Sequence, residues 1–300
     1  MLDYASLSVL AAVVREGSFE RAARILHVTP SAVSQRIRLL EESIGGALII
    51  RGQPCLPTET GRRLCQHVDQ VRLLEHELKS AVPVLGEDEP GRVPLPVAVN
   101  ADSLATWFVP AMTAFATTSP VLMDVAIDDQ DHTAEWLRSG TVLAAVTGTA
   151  QAASGCNSRP LGAMRYLATA SPGFIARYFP NGVGAGSLAQ APSLVFNSKD
   201  ELQNRWARRL CHRHVELPRH TLPDAHAFVA AAVAGMGWGM HPHKMIQDHL
   251  QAGTLVELVP ATPLDVPLYW QQARAASSLL DGLTRAVSTA ANAALLQSSY

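Results

Sequence analysis

Apolar residues recur at helical spacing through the first part of the chain, and the polar positions between them are just as ordered. Leu7, Leu10 and Val14 fall on one helical face, and Gly17 ends that helix. Ser18 then caps a second helix carrying Phe19, Ala22, Ala23 and Leu26 at i, i+3, i+4 and i+7. A third helix is expected over Thr29–Ile44. Thr29 can accept hydrogen bonds from the first unpaired amides, and Pro30 suits the first helical position, where its missing N–H costs nothing. At about 100° per residue, Val33, Ile37, Leu40 and Ile44 form one narrow stripe, with Ser31, Ser34, Gln35 and Arg38 opposite. The stripe packs and the polar face is displayed.

The link His27-Val28 between the second and third helices is short, and Ala22 and Ala23 allow close crossing, so the pair reads as a helix-turn-helix. Short hydroxyls, an amide and a guanidinium can reach base edges or phosphates without filling the major groove. Taken alone, the same face fits an ordinary solvated helix. Arg36 lies nearer the apolar margin, where it touches phosphate or packs. Leu48-Ile49-Ile50-Arg51, followed by a Gly/Pro-rich turn to Leu56, predicts a β-ribbon or wing that sets Arg51 beside the DNA backbone or minor groove.

Thr58 starts a helix expected to reach about Ala81, with Leu64, Val68, Val71, Leu74 (or Leu73) and Leu78 at spacings of three or four between charged residues. A short dimerising coiled coil fits this pattern, with packing onto the chain's own C-terminal part as the alternative. Pro83 and the run GEDEPG at 86–91 read as a hinge.

From Val93 onward strand-like runs alternate with helical ones. Strands are expected at 95–99, 121–127, 142–146, 161–169, 193–196 and 264–270. Helices are expected near 105–116, 134–138, 172–178, 201–212, 225–234, 244–250 and 278–296. The alternation implies parallel α/β sheets, giving a fold class of α/β with an N-terminal all-α winged helix-turn-helix. Ligands of open α/β sheets bind beyond the carboxyl ends of strands. Those exits carry Asn100, Asp102 and Ser103, then Asp128 and Asp129, then Thr147, and finally Asn197. Helix-end amides for a carboxylate together with acids for a cation suit a basic amino acid. Asp128, Asp129 and Asp131 also fit a solvated surface turn.

Composition narrows the classes. The chain has 300 residues, 48% of them hydrophobic, enough for two or three globular domains. No apolar run approaches the roughly 18 residues of a membrane span, and no signal-peptide pattern opens the chain, so a soluble cytoplasmic protein without a membrane partner is expected. Cys55, Cys65, Cys156 and Cys211 lack paired or metal-type spacing and read as free thiols. Net charge is −2, but residues 1–63 carry eight arginines against six acids. DNA affinity must then come from placed arginines and from more than one copy of the module.

GSFERAARILHVTPSAVSQRIRLLEESIG, followed by LPTETGRRL, resembles the N-terminal module of LysR-type transcriptional regulators. Further on, VNADSLATW, IDDQDH, YFPNGV and VPLYWQ are similar to the branch of that family that responds to lysine or arginine. The resemblance implies a winged helix-turn-helix over 1–58, a linker helix and hinge over 59–91 that pairs two subunits, and an effector-binding domain over 92–300. That last domain would resemble a periplasmic binding protein, with subdomain I at about 92–168 plus 261–300 and subdomain II at about 169–260. The implied partners are double-stranded promoter DNA, lysine or arginine as effector, and further copies of the chain in a homodimer or homotetramer. RNA polymerase is a further candidate, and the implied target is a basic-amino-acid exporter promoter beside the regulator's own gene.

One position departs from that branch. Where it usually carries an acid ahead of a helix in subdomain II, this chain reads Asp224-Ala-His226-Ala-Phe228. Asp224 could supply the charge, or His226 could mark another effector, since a protonatable imidazole holds a cation poorly. His212, His214, His241 and His243 lack an evident third metal partner, no G-x-S-x-G elbow is present, and Gly235-Met-Gly237-Trp-Gly239 reads as close backbone packing. No catalytic residue, metal or cofactor is expected. Two other classes remain open: a solute-binding protein or small-molecule enzyme with an N-terminal oligomerisation module, and a nucleoid-type DNA-binding protein without an effector.

Overall fold

The computed structural model describes residues 2–81, 94–127 and 133–297. It forms two compact units, one holding the N-terminal elements with residues 135–143 and the other the remaining elements.

The N-terminal unit opens with α1 (Tyr4–Glu16), α2 (Phe19–Ile25) and α3 (Pro30–Ile44). Each boundary has a local cause. Asp3, Ser18 and Thr29 accept the amides of Ala5, Arg21 and Ala32, while Gly17 at φ 63° and Gly45 at φ 83° close α1 and α3. An antiparallel ribbon, β1 (Ile49–Ile50) and β2 (Leu56–Pro57), leads to α4 (Glu59–Ala81). Leu7, Leu10, Ala22, Val33, Ile37 and Leu48 form the core, joined by Cys65 and Val68 of α4. The expected stripe is therefore shorter than its sequence pattern. Ile44, the last residue of α3 and one turn past Leu40, is 38% exposed. The α4 seam is likewise divided: Leu64 and Val68 pack within this unit, whereas Leu74 and Leu78 are exposed. The hinge residues Pro83 and 86–91 lie outside the described residues.

The second part of the chain begins with β3 (Leu95–Val99), α5 (Ala101–Ser103), α6 (Val109–Ala116), β4 (Met123–Ile127), α7 (Thr133–Ser139) and β5 (Ala144–Thr147). Then come β6 (Cys156–Ala170), α8 (Pro172–Tyr178), α9 (Ala185–Leu188), β7 (Ser193–Val195), α10 (Leu202–Cys211) and β8 (Arg219–Thr221). It ends with α11 (Ala225–Val233), β9 (Gly239–Pro242), α12 (His243–Gln251), β10 (Val256–Glu257), β11 (Leu264–Ala273) and α13 (Ser277–Ala294). Among the described residues, a seven-stranded sheet runs β10-β6-β11-β5-β3-β4 with β9 also on β6.

The sheet is mixed, which corrects the expectation of parallel sheets. β3 and β5 are parallel, but β6 and β11 pair antiparallel from Cys156↔Ala273 to Tyr166↔Leu264. The cause is topological: β6 carries the chain away from β5 and β11 brings it back alongside, so the two must run in opposite directions. β9 and β10 extend the far half of β6, and β7 pairs in parallel with β8. Between α5 and α6 the helix widens into a π-turn over Leu104–Phe108, a feature frequent at functional sites.

Candidate functional sites

The first candidate surface is α3 with its wing. Pro30 opens the helix, and Thr29 Oγ1 accepts the Ala32 amide at 3.2 Å while meeting Ser31 Oγ at 3.0 Å. Val33, Ile37 and Leu40 are buried, which turns Ser31, Gln35 and Arg38 outward and leaves Ser34 half-buried. Arg36 is exposed, so of its two readings packing is the one the geometry disfavours. Arg38 Nε donates to Glu42 Oε1 at 2.9 Å across one exposed helical turn, a pair that solvent weakens. Glu41 Oε1 accepts the amides of Leu48 at 2.8 Å and Ile49 at 3.3 Å, tying the wing to α3. Arg51 stands with its guanidinium 5.6 Å from the Phe19 ring centre. It lines a groove with Ser34, Arg21 and Gln53. Arg21, which donates to the Glu16 carbonyl, was not singled out in the sequence; its place early in the second helix beside Phe19 was the available signal.

The second site is a pocket of about 890 Å³, including its mouth, in the second unit. Asn100, Ala101 and Asp102 reach it from the end of β3, Tyr166 from β6, residues 196–205 from the β7 exit and α10, and Met240 to Pro242 from β9. Ala225, Phe228 and Val229 of α11 form an apolar wall. The Tyr166 hydroxyl donates to Asp102 Oδ2 at 2.7 Å. Burial pushes the Asp102 carboxyl up to about 6; the Tyr166 hydrogen bond opposes this and the Asp200 charge adds to it. Asn100 Oδ1 is buried without a hydrogen-bond partner. Asn197 Oδ1 accepts the Lys199 amide at 2.9 Å. Asp200 is consumed by its own loop, taking the amides of Phe196 at 2.9 Å and Leu202 at 3.1 Å and the Gln203 side chain at 3.2 Å.

His241 is buried in the pocket wall, its Nδ1 2.9 Å from Thr169 Oγ1 and its ring edge-on to Phe228 at 5.2 Å. Burial lowers its pKa to about 4, so the imidazole is neutral near pH 7. Gly239 makes that wall possible, because a Cβ there would lie 2.7 Å from Phe228 Cε1. Close packing is thus the role of this glycine, as its spacing implied.

The pocket gathers Asn100, Asp102 and Asn197 and omits other residues expected of it. Ser103 is fully buried with an unpartnered hydroxyl and does not line it. Thr147 is buried and turned to its own loop, donating to Thr149 O at 3.1 Å and accepting from Gln271 at 3.2 Å. Asp224 is exposed and spends its carboxylate capping α11, accepting the Ala227 amide at 2.7 Å. His226 is exposed in a shallow apolar groove with Val229, Val233, Met245 and His249, outside the pocket. Asp128, Asp129 and Asp131 lie outside the described residues. Tyr166, Lys199, Asp200, Glu201, Arg205 and His241 line the pocket without having been singled out as contacts. The polar run 197–201 at a strand exit was the signal for three of these.

The helix-turn-helix portion, residues 4–62, matches the bacterial regulatory helix-turn-helix of the lysR family, and residues 91–291 match the LysR substrate binding domain. The chain belongs to the LysR family of transcriptional regulators. It is 46% identical over 288 residues to the HTH-type transcriptional regulator ArgP of Pseudomonas aeruginosa, covering 95% of this chain and 94% of that one. The crystal structure of ArgP from Mycobacterium tuberculosis superposes with a TM-score of 0.82 at 43% identity, covering 99% of this chain and all of that one. Full-length LysG from Corynebacterium glutamicum with bound effector Arg superposes with a TM-score of 0.70 at 36% identity, over 99% of this chain and 100% of that one. This LysR-family chain is therefore a DNA-binding regulator with an effector-binding domain, not an enzyme. No described helix is long and apolar enough to cross a membrane.

Proposed function

We propose that the regulator responds to a basic amino acid, arginine or lysine, held in the pocket between Asp102 and the residue 197–205 segment. The observation that carries this reading is the Asp102 carboxyl, set inside the pocket and held by one phenolic donor. Asp102 would take the cationic side chain, with Asn100 and Asn197 as polar contacts and Lys199 and Arg205 near the α-carboxylate. The arginine bound in the Corynebacterium LysG structure supports the same class of effector. His226, standing in another groove, no longer argues against a cation.

At the other end, Ser31, Ser34, Gln35 and Arg38 would read the major groove, Thr29 and Pro30 would sit at the helix tip, and Arg36 and Arg51 would meet phosphate. The exposed Leu74 and Leu78 support pairing through α4, giving a homodimer or homotetramer on a two-fold-related site. Residues 1–58, 59–91 and 92–300 then serve as DNA-binding, linking and effector-binding segments of a cytoplasmic protein. An effector that prefers one closure state would shift how the subunits hold DNA. A basic-amino-acid exporter promoter is the first operator to try, and RNA polymerase the partner there.

The test is thermal stability of the full chain against each of the twenty amino acids. A ligand at one hundred times its dissociation constant stabilises by ~2.7 kcal/mol, a clear shift. A shift with arginine or lysine alone is expected. A shift only with neutral or acidic amino acids would overturn the basic effector, and indifference to all of them would return the effector-independent alternative.

A further inference from the structure

We infer that Asp102 couples the effector site to protons: its carboxyl releases a proton when it receives a cationic side chain, so acid and effector oppose one another. The inference rests on the basic-amino-acid reading above and adds a mode of regulation to it.

Among the described residues, three carboxyl groups reach the pocket, and they differ in what holds them. Asp200 accepts two backbone amides and the Gln203 side chain. Glu201 is exposed and accepts the Asn204 amide at 2.9 Å. Asp102 alone of the three is met by a neutral phenol, that of Tyr166, itself only 2% exposed. The described titratable groups that line the pocket with it are these. β6 presents Tyr166, the 197–205 segment presents Lys199, Asp200, Glu201 and Arg205, β9 presents His241, and α11 presents only Ala225, Phe228 and Val229. His241 is uncharged above about 4 and adds no positive charge near neutrality. Burial, opposed by the Tyr166 hydrogen bond and aided by the Asp200 charge, holds the Asp102 carboxyl at about 6.

An empty pocket therefore stores a proton on Asp102 in mild acid. On binding, the Asp102 O–H bond breaks, the proton leaves to solvent, and the carboxylate pairs with the ligand's cation, whose own charge does not change. Binding and proton release are then one equilibrium, and effector affinity falls as the medium acidifies.

Calorimetric titration of arginine into the full-length protein, in two buffers of different ionisation enthalpy, counts the protons released. Expected are about half a proton per site at pH 6, almost none at pH 8, and a dissociation constant about tenfold larger at pH 5 than at pH 7.5. Asp102→Asn should bind more weakly at pH 7.5, with no pH dependence and no proton release. Tyr166→Phe removes the donor that favours the carboxylate, so its pH midpoint should move upward; this variant tests the idea even if the first one folds poorly. Wild-type binding that is constant from pH 5 to 8 without proton release, or an unmoved midpoint in Tyr166→Phe, overturns the coupling and leaves the effector class standing. Failure of arginine and lysine to bind at any pH overturns the effector class and the coupling with it.

Discussion

Gly61 packs against the carbonyl of Leu48, so closely that a Cβ at 61 would lie 3.0 Å from the carbonyl carbon and overlap its oxygen. Thr58 completes the joint. Its amide donates to the same Leu48 oxygen at 2.9 Å, its hydroxyl donates to Ala47 O at 2.9 Å, and that hydroxyl accepts the Gly61 amide at 3.1 Å. The Thr-x-x-Gly spacing thus fastens α4 to the base of the wing. Gly61→Ala should cost about 1–3 kcal/mol by forcing the two apart. A lower urea midpoint with an unchanged slope would show it, together with weaker DNA binding because Arg51 rides on that wing.

Arg38 should separate DNA affinity from everything else. Its ion pair with Glu42 is exposed on both sides, 76% and 56%, so Arg38→Ala should change fold stability by only about 0.5 kcal/mol. If the guanidinium reaches a base edge, operator affinity should fall by about 1–3 kcal/mol with relaxed sequence preference. If it touches only phosphate, the loss should be uniform across sequences. Fluorescence anisotropy on operator and scrambled DNA distinguishes the two, while arginine binding to the effector pocket stays unchanged.

The N-terminal unit was legible because its signals are local. Ser18, Thr29, Pro30 and Gly17 act within four residues of their own positions, so these helix limits could be read directly from them. Strand-exit reasoning likewise found Asn100, Asp102 and Asn197, which do line the pocket. What escaped depends on distant pairing. β9, with a glycine and a proline in four residues, exists because it lies on β6 seventy or more residues earlier, and without it His241 could not be placed in the pocket wall. Tyr166 was hidden inside a long strand for the same reason. Asp224 turned out to have a structural use that the sequence also signalled. Its carboxylate looked available for a ligand, but an Asp directly before the apolar run AHAFVAAAV serves first as that helix's cap.

Gly239 offers a test of the pocket wall. An alanine Cβ would stand 2.7 Å from Phe228 Cε1 and 3.1 Å from His241 Cε1, both rigid rings in a closed corner. Gly239→Ala should cost about 1–3 kcal/mol and weaken effector binding. Gly173→Ala is the matched control, since nothing lies near its Cβ and the residue sits inside α8. There the change should be neutral or stabilising by up to about 1 kcal/mol. Equal urea midpoints for the two variants would show that the wall is not packed as described.

Asp102 and His241 set opposite pH slopes on stability within one pocket. His241 is depressed from 6.5 to about 4, so the unfolded chain takes up its proton first on acidification. The stability it contributes is complete above about 6.5 and is lost as pH falls towards about 4. Asp102 is raised from 3.8 to about 6, so the folded chain takes up its proton first. Its contribution is complete below about 3.8 and is lost as pH rises through about 6. Across that shared window the two partly cancel. Asp102→Asn leaves the histidine slope alone, so the variant should lose stability on acidification more steeply than the wild type. His241→Gln should do the reverse. Thermal midpoints of effector-free protein, taken in half-unit steps from about pH 4.5 to 7 and expressed as differences from wild type, remove the titrations common to all three proteins. Difference curves that stay flat for Asp102→Asn would mean that its carboxyl does not titrate in this window, and the proton coupling of the effector site would fall with it.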